Sequence, residues 1–205
     1  MIDESHPLLL GSASPRRREI LTTLGLPLRT VSLDVDERLR ASESADDYLI
    51  RVAADKLTHA AAHAHHCGAV LVADTSVILD GEVLGKPAGP EQAREMIAEL
   101  SGRDHEVWTR FAIASAQAPS VAAHAETVRT RVTFRTLEED EITAYAETGE
   151  GLDKAGAYAI QGIGGFAVAR IEGSYSNVVG LPACEVIAAL RRLGLLGRFP
   201  RTRTS

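Results

Sequence analysis

The sequence predicts a mixed α/β fold, and three observations carry that expectation. Residues 8–10 and 69–73 are short, wholly apolar runs, as strands buried on both faces require. Helical segments with capping signals open at Ser14-Pro15, Ser44 and Pro90. Residues 107–114 and 125–134 read as long extended strands, so the pattern is not a plain βαβ repeat.

Taken in order, residues 8–10 form the first strand and 15–24 the first helix, which Gly25 and Pro27 end. A strand over 29–33 runs into the acidic Asp34-Val35-Asp36-Glu37. Ser44 caps a long helix reaching about His66, with Asp46 and Asp47 in its first turn. After the strand at 69–73, residues 77–79 and 82–84 flank Asp80-Gly81, a two-residue hairpin signal. A helix over 90–100 closes at Ser101-Gly102. In the strand over 125–134, Val128, Thr130, Val132 and Phe134 share one face; Arg129 and Arg131 lie on the other, with Arg135 next in line. Thr136-Leu137-Glu138-Glu139 reads as a capping box for a helix to Thr148. A glycine-rich stretch from Gly149 to Gly165 precedes a strand over 166–171, and a last helix spans 182–193. One domain over residues 1–197 is expected, with 198–205 a short basic tail that frays.

Composition narrows the function classes. The chain has 205 residues, 45% hydrophobic and 24% charged, which suits a globular protein with a proper core. A formal charge of −6 and 4% aromatics argue against a nucleic-acid partner, whether bound by charge or by base stacking. No apolar run reaches transmembrane length, and residues 1–6 carry no signal-peptide pattern, so a cytoplasmic protein without a membrane partner is expected. Cys67 and Cys184 are isolated, as buried thiols in a reducing compartment would be. Of 22 basic residues only Lys56, Lys86 and Lys154 are lysines, and Asn177 is the sole asparagine. In a background that favours arginine, these few stand where a substitute does not serve.

Residues 8–21 carry the strongest chemical signal. A buried strand, a polar turn and a helix opening on arginines make an anion site: first-turn N–H groups and the helix dipole face the loop. Ser12 and Ser14 add hydroxyls, and Arg16 and Arg17 add planar forks that match phosphate oxygens. Asp74 follows a buried strand beside Thr75, a place for a general base or a Mg²⁺ ligand. Asp34, Asp36 and Glu37 form an acidic knot that could hold a hard cation or simply be solvated. Gly162-Ile163-Gly164-Gly165 precedes a strand and not a helix, so it fails as a dinucleotide fingerprint. His59, His63, His65 and His66 with Cys67 lack a completing ligand set, and histidine near a helix C-terminus suits the dipole, so zinc is not expected.

These motifs, together with Leu84-Gly85-Lys86-Pro87, Leu100-Ser101-Gly102, Asp153-Lys154-Ala155-Gly156 through Gln161-Gly162, and Gly173-Ser174-Tyr175-Ser176-Asn177 through Pro182, resemble the Maf proteins in order and over residues 8 to 193. The resemblance implies a Maf/Ham1-like fold: an elongated mixed β-sheet flanked by helices, in two lobes with a central cleft. It implies a nucleoside triphosphate pyrophosphatase that uses Mg²⁺ or Mn²⁺, yields a nucleoside monophosphate and pyrophosphate, and admits a homodimer. Arg16, Thr75 and Gln161 resemble the subgroup acting on dTTP and UTP, and by extension on modified pyrimidine nucleotides; the 7-methyl-GTP subgroup has Trp, Gln and Glu there. On this reading Ser12, Ser14, Arg16, Arg17, Lys56, Lys86 and Lys154 bind substrate, Glu37 and Asp74 hold metal, and Asp74 orients or deprotonates the attacking water. The alternative is a non-catalytic nucleotide-binding regulator of septum formation.

Overall fold

Strands and helices follow one another as β1 (Leu8–Gly11), α1 (Pro15–Thr23), β2 (Leu28–Val31), α2 (Ala45–Ala61), β3 (Ala69–Leu79), β4 (Glu82–Leu84), α3 (Pro90–Leu100), β5 (Asp104–Ser115), β6 (His124–Phe134), α4 (Glu139–Glu147), β7 (Val168–Glu172), α5 (Tyr175–Val179) and α6 (Ala183–Arg192). The computed structural model describes residues 1–200; the last five residues of the expected tail lie outside them. The strands form a seven-stranded sheet in the order β2-β1-β3-β5-β6-β7, with β4 paired to β3, and helices flank it. β1 is parallel to both neighbours, with Leu8 opposite Leu28 and Ala69, while β3–β4 and β6–β7 are antiparallel. The mixed α/β architecture is therefore the one the sequence predicts. No helix among the described residues is long and apolar enough to cross a membrane.

The chain divides into two units. One comprises residues 1–74, 110–127 and 180 onward; the other comprises 75–109 and 128–179. In the first, Leu9, Val70 and Val72 pack with Leu57, Ala60 and Ala112. All four residues of β1 are buried, because a parallel strand covered on both faces has no solvent side. In the second, β6 alternates as expected, with Val132 and Phe134 buried and Arg129 and Arg131 exposed, and β5 runs beside it. Their inner faces pack on Ile97 and Leu100 of α3 and Ile142 and Tyr145 of α4.

β3 is longer than the apolar run suggested. It continues through Asp74, Thr75 and Ser76, because polar side chains tolerate burial when they find partners. Asp74 has Lys56 at 2.6 Å and Thr75 has Thr109 at 2.8 Å. Asp74 thus lies within a strand and not at its mouth. α2 is shorter than expected. It stops at Ala61, and the following turns, with His66 at φ 59°, return the chain to Gly68. A side chain at Gly68 would stand 2.6 Å from the Met1 carbonyl, so the chain must pass there as glycine. α4 starts later than the Thr136 box implied. Glu138 is its N-cap, with Glu141 reaching back to the Glu138 N–H at 3.0 Å. The preceding residues are committed elsewhere: Arg135 O accepts from Gly102 N, and Leu137 N donates to Ser101 Oγ. α5 is a short helix that the sequence reading missed. Its signal is Ser174, whose Oγ accepts from the Asn177 N–H at 3.2 Å.

His105 is buried between Phe134 and Tyr158, with its Nε2 2.8 Å from the Tyr158 hydroxyl and its Nδ1 unpartnered. Burial pushes it down to about 4. The unfolded chain therefore takes up a proton near pH 6.5 that the folded chain refuses until about pH 4. Stability is lost as pH falls through that window. Relative to wild type, His105→Phe is expected to gain about 1–2 kcal/mol between pH 7 and pH 5, read from urea midpoints at the two pH values.

Gly156 takes a left-handed conformation at φ 67°, and a Cβ there would meet Val77 Cγ2 at 2.8 Å. Gly156→Ala is expected to cost about 2–5 kcal/mol, backbone strain and overpacking together, in a denaturant titration.

Candidate active site

The loop between β1 and α1 is built as the sequence implied. Ser14 caps α1, accepting from the Arg17 N–H, and Pro15 takes the first helical position. The Ser14 N–H bonds to Ser12 Oγ at 3.2 Å, which folds the turn back on itself. Arg16 is half-buried at the helix start. Arg17 is buried, and its guanidinium is committed to three oxygens: Gly180 O and Ala73 O at 2.8 Å, and Ser12 Oγ at 3.1 Å. Burial draws Arg17 below its ordinary value, against the pull of Asp74 and Glu37. Arg17 thereby ties the serine turn to β3 one residue before Asp74.

Asp74 and Lys56 are 7% and 6% exposed, so each is the buried partner that the other pairs with. Lys56 Nζ lies 2.6 Å from Asp74 Oδ1 and 2.7 Å from Glu37 Oε1. One ammonium from α2 therefore gathers a carboxylate from β3 and another from the loop after β2. That loop is held by α2: Tyr48 donates to Glu37 O, Arg51 donates to the Asp36 and Arg38 carbonyls, and Arg51 pairs with Glu43 at 2.6 Å. Tyr48 and Arg51 escaped the sequence reading; their trace was only their position on the helix that carries Lys56. The acidic knot does not converge. Asp36 turns to Arg38, whose hydrogen bond holds it down at about 2, and Glu37 alone of the three bonds to Lys56.

Among the described residues no group of three or more His, Cys, Asp or Glu side chains could hold a metal ion. The pair of hard carboxylates on Lys56 fits Mg²⁺ or Mn²⁺ if phosphate oxygens and waters complete the shell.

The other sequence-predicted residues belong to the second unit. Thr75 is half-buried, and its hydroxyl heads a buried chain through Thr109 to the Asn177 carbonyl. Asn177, wholly buried, donates to Val107 O and Thr130 Oγ1, while its own Oδ1 has no partner. The sole asparagine of the chain thus buttresses the strands next to Thr75. Lys86 is exposed in the loop after β4, and Lys154 opens the glycine-rich stretch. Their segments meet, since Gly156 N donates to Gly85 O at 3.1 Å. Gln161 is exposed in a turn closed by Gly162 N and Ala159 O. Beside it, burial lifts the Glu150 carboxyl. The Gly164 and Ile163 N–H groups, the Tyr145 hydroxyl and Lys154 outweigh that and hold it below its ordinary value.

The Maf-like protein family matches residues 7–193. The chain is 52% identical over 190 residues to a dTTP/UTP pyrophosphatase of Myxococcus xanthus, covering 92% of this chain and 93% of that one. It is 48% identical over 196 residues to a dTTP/UTP pyrophosphatase of Methylococcus capsulatus, covering 94% and 93%. A solved dITP/XTP pyrophosphatase from Mycobacterium abscessus is similar at 14% identity and a TM-score of 0.45, over 93% of this chain and 99% of that one, a likeness that fixes neither substrate nor activity. With every motif of the serine turn, β3 and the glycine-rich stretch inside the matched span, the chain belongs to the Maf family.

Proposed function

We propose that the protein hydrolyses dTTP and UTP, and modified pyrimidine nucleotides like them, between the α- and β-phosphates. Water adds to the α-phosphorus, and the bridging oxygen leaves with pyrophosphate, giving a nucleoside monophosphate. The observation that carries this reading is the buried Lys56, which draws Asp74 and Glu37 to one point on a strand that Arg17 ties to the serine turn. A pure nucleotide binder has no use for two carboxylates so placed among cations. The names of the relatives at 52% and 48% identity point to the same substrates.

In this mechanism the Ser12–Ser14 turn, the α1 N-terminus and Arg16 receive phosphate oxygens, and Arg17 fixes the turn. Lys86 and Lys154 add compact charges that a net-negative chain must supply locally. Glu37 and Asp74 would hold a divalent cation, which supplies charge neutralisation when bound. Asp74 orients the attacking water and takes its proton. Gln161 offers both a donor and an acceptor to the carbonyl and N–H edge of a pyrimidine. Thr75 and Arg16 are the other two positions at which the chain resembles the pyrimidine-specific subgroup. Cys67 is a buried free thiol as expected, whereas Cys184, expected to be buried, is an exposed one; free thiols suit the cytoplasm.

The test is pyrophosphate release from dTTP, UTP, ATP, GTP and 7-methyl-GTP with Mg²⁺ and with Mn²⁺. The two pyrimidine nucleotides are expected to lead by about tenfold or more in kcat/KM. A preference for 7-methyl-GTP would overturn the substrate assignment, and no turnover on any of them would leave a binding protein. Gln161→Glu loses the amide donor and is expected to lower kcat/KM for dTTP by about tenfold, with stability within about 0.5 kcal/mol of wild type.

Asp74→Asn keeps the shape and removes the charge, and Lys56 retains Glu37. Its kcat is expected to fall more than about tenfold, or 1.4 kcal/mol of barrier, while dTTP still binds in a calorimetric titration. A kcat within that factor of wild type would deny Asp74 a central part.

A further inference from the structure

Gln161 stands exposed in a turn, where a side chain that reads a base edge has no rigidity of its own. The turn is nonetheless held from both sides. After it, the two oxygens of the Glu150 carboxylate accept the Ile163 and Gly164 N–H groups, each at 2.9 Å. Before it, the Tyr145 hydroxyl accepts from the Ala159 N–H at 3.2 Å and donates to Glu150 Oε2 at 2.9 Å. The backbone carbonyl of the same glutamate accepts the Lys154 ammonium. Two glycines make room for this arrangement. A Cβ on Gly162 would stand 2.1 Å from Glu150 Oε1, and one on Gly164 would stand 2.5 Å from the Tyr145 oxygen.

We propose that Glu150, buttressed by Tyr145, is a positioning residue for base selection. Its carboxylate fixes the Gln161 turn while its carbonyl fixes Lys154, so the amide that reads the base and the ammonium that meets phosphate are held in one register. The inference rests on Gln161 reading the base edge, as proposed above. Its physical content is preorganisation: two backbone N–H groups pointing the same way need two acceptors, and a carboxylate supplies both. A glutamine at the same place has one acceptor oxygen, so its NH₂ group would face the second N–H.

The experiment compares dTTP with CTP, whose pairing edge reverses donor and acceptor. Wild type, Glu150→Gln, Tyr145→Phe and Gln161→Ala are measured as full-length proteins for kcat, KM and thermal midpoint. Loss of one ordering contact is expected to raise KM for dTTP in Glu150→Gln by about fivefold or more, with kcat within about threefold. The dTTP-to-CTP ratio of kcat/KM is expected to fall by a similar factor in Glu150→Gln and in Gln161→Ala, and less steeply in Tyr145→Phe. A ratio that falls in Gln161→Ala but holds in Glu150→Gln overturns the positioning role alone. An unchanged ratio in Gln161→Ala overturns the base-reading premise and the proposal with it. Equal losses on both nucleotides with a lowered midpoint would make Glu150 purely structural and also overturn it. If Glu150→Gln fails to fold, the ratio in Tyr145→Phe decides, because that change removes only one hydroxyl.

Discussion

The ammonium of Lys56, buried with the Asp74 carboxylate, is shared between that carboxylate and the exposed Glu37. Desolvating a lysine or an aspartate costs several kcal/mol, and removing one partner of such a buried pair costs about 3–5 kcal/mol. The arrangement is therefore weak as a source of stability and strong as a constraint. α2 must present Lys56 to Asp74 on β3, or a buried charge goes unanswered. Arg17 imposes the same discipline on the serine turn. Its guanidinium links Ser12, Ala73 and Gly180, three points far apart in the chain. Polar groups that would be costly alone thus lock the elements that carry them into one register.

Much of this was legible in the residues. Ser14-Pro15, Ser44 and Pro90 marked helix starts because capping is local chemistry, decided within four residues. Asp80-Gly81 marked its hairpin because both residues take positive φ, at 51° and 88°, which few sequences accept. The faces of β6 followed from period-two alternation. The scarcity of lysine and asparagine pointed at Lys56, Lys86, Lys154 and Asn177; Lys56 and Asn177 are buried and bonded, whereas Lys86 stands exposed and Lys154 half-buried.

What escaped notice depends on contacts between distant residues. Asp74-Thr75-Ser76 looks like a strand end until Lys56 and Thr109 are seen to answer it across 18 and 34 residues. Thr136 looks like a cap until Arg135 and Leu137 prove bound to the end of α3. The acidic knot reads either as a cation site or as a solvated loop until Asp36 turns to Arg38 and Glu37 meets Lys56. Glu150 gives no local signal, for its partners are backbone N–H groups 13 and 14 residues on. Family resemblance named the residues; only geometry shows that Arg17 gives its Nε and Nη1 donors to Gly180, Ser12 and Ala73.

The two kinds of site residue rest on different scaffolds. Asp74 is set in the middle of a buried strand, where adding or losing one residue would turn its side chain to the opposite face. Gln161 stands on an exposed turn whose neighbours are fixed by one carboxylate and one hydroxyl. Mutation therefore meets unequal resistance along this chain. On the proposed reading, chemistry sits where an inserted or lost residue would break the strand register, and selectivity where a side chain can be exchanged at little cost to the fold. On that reading, descendants of such a chain would drift first in which base they accept and last in which bond they cut.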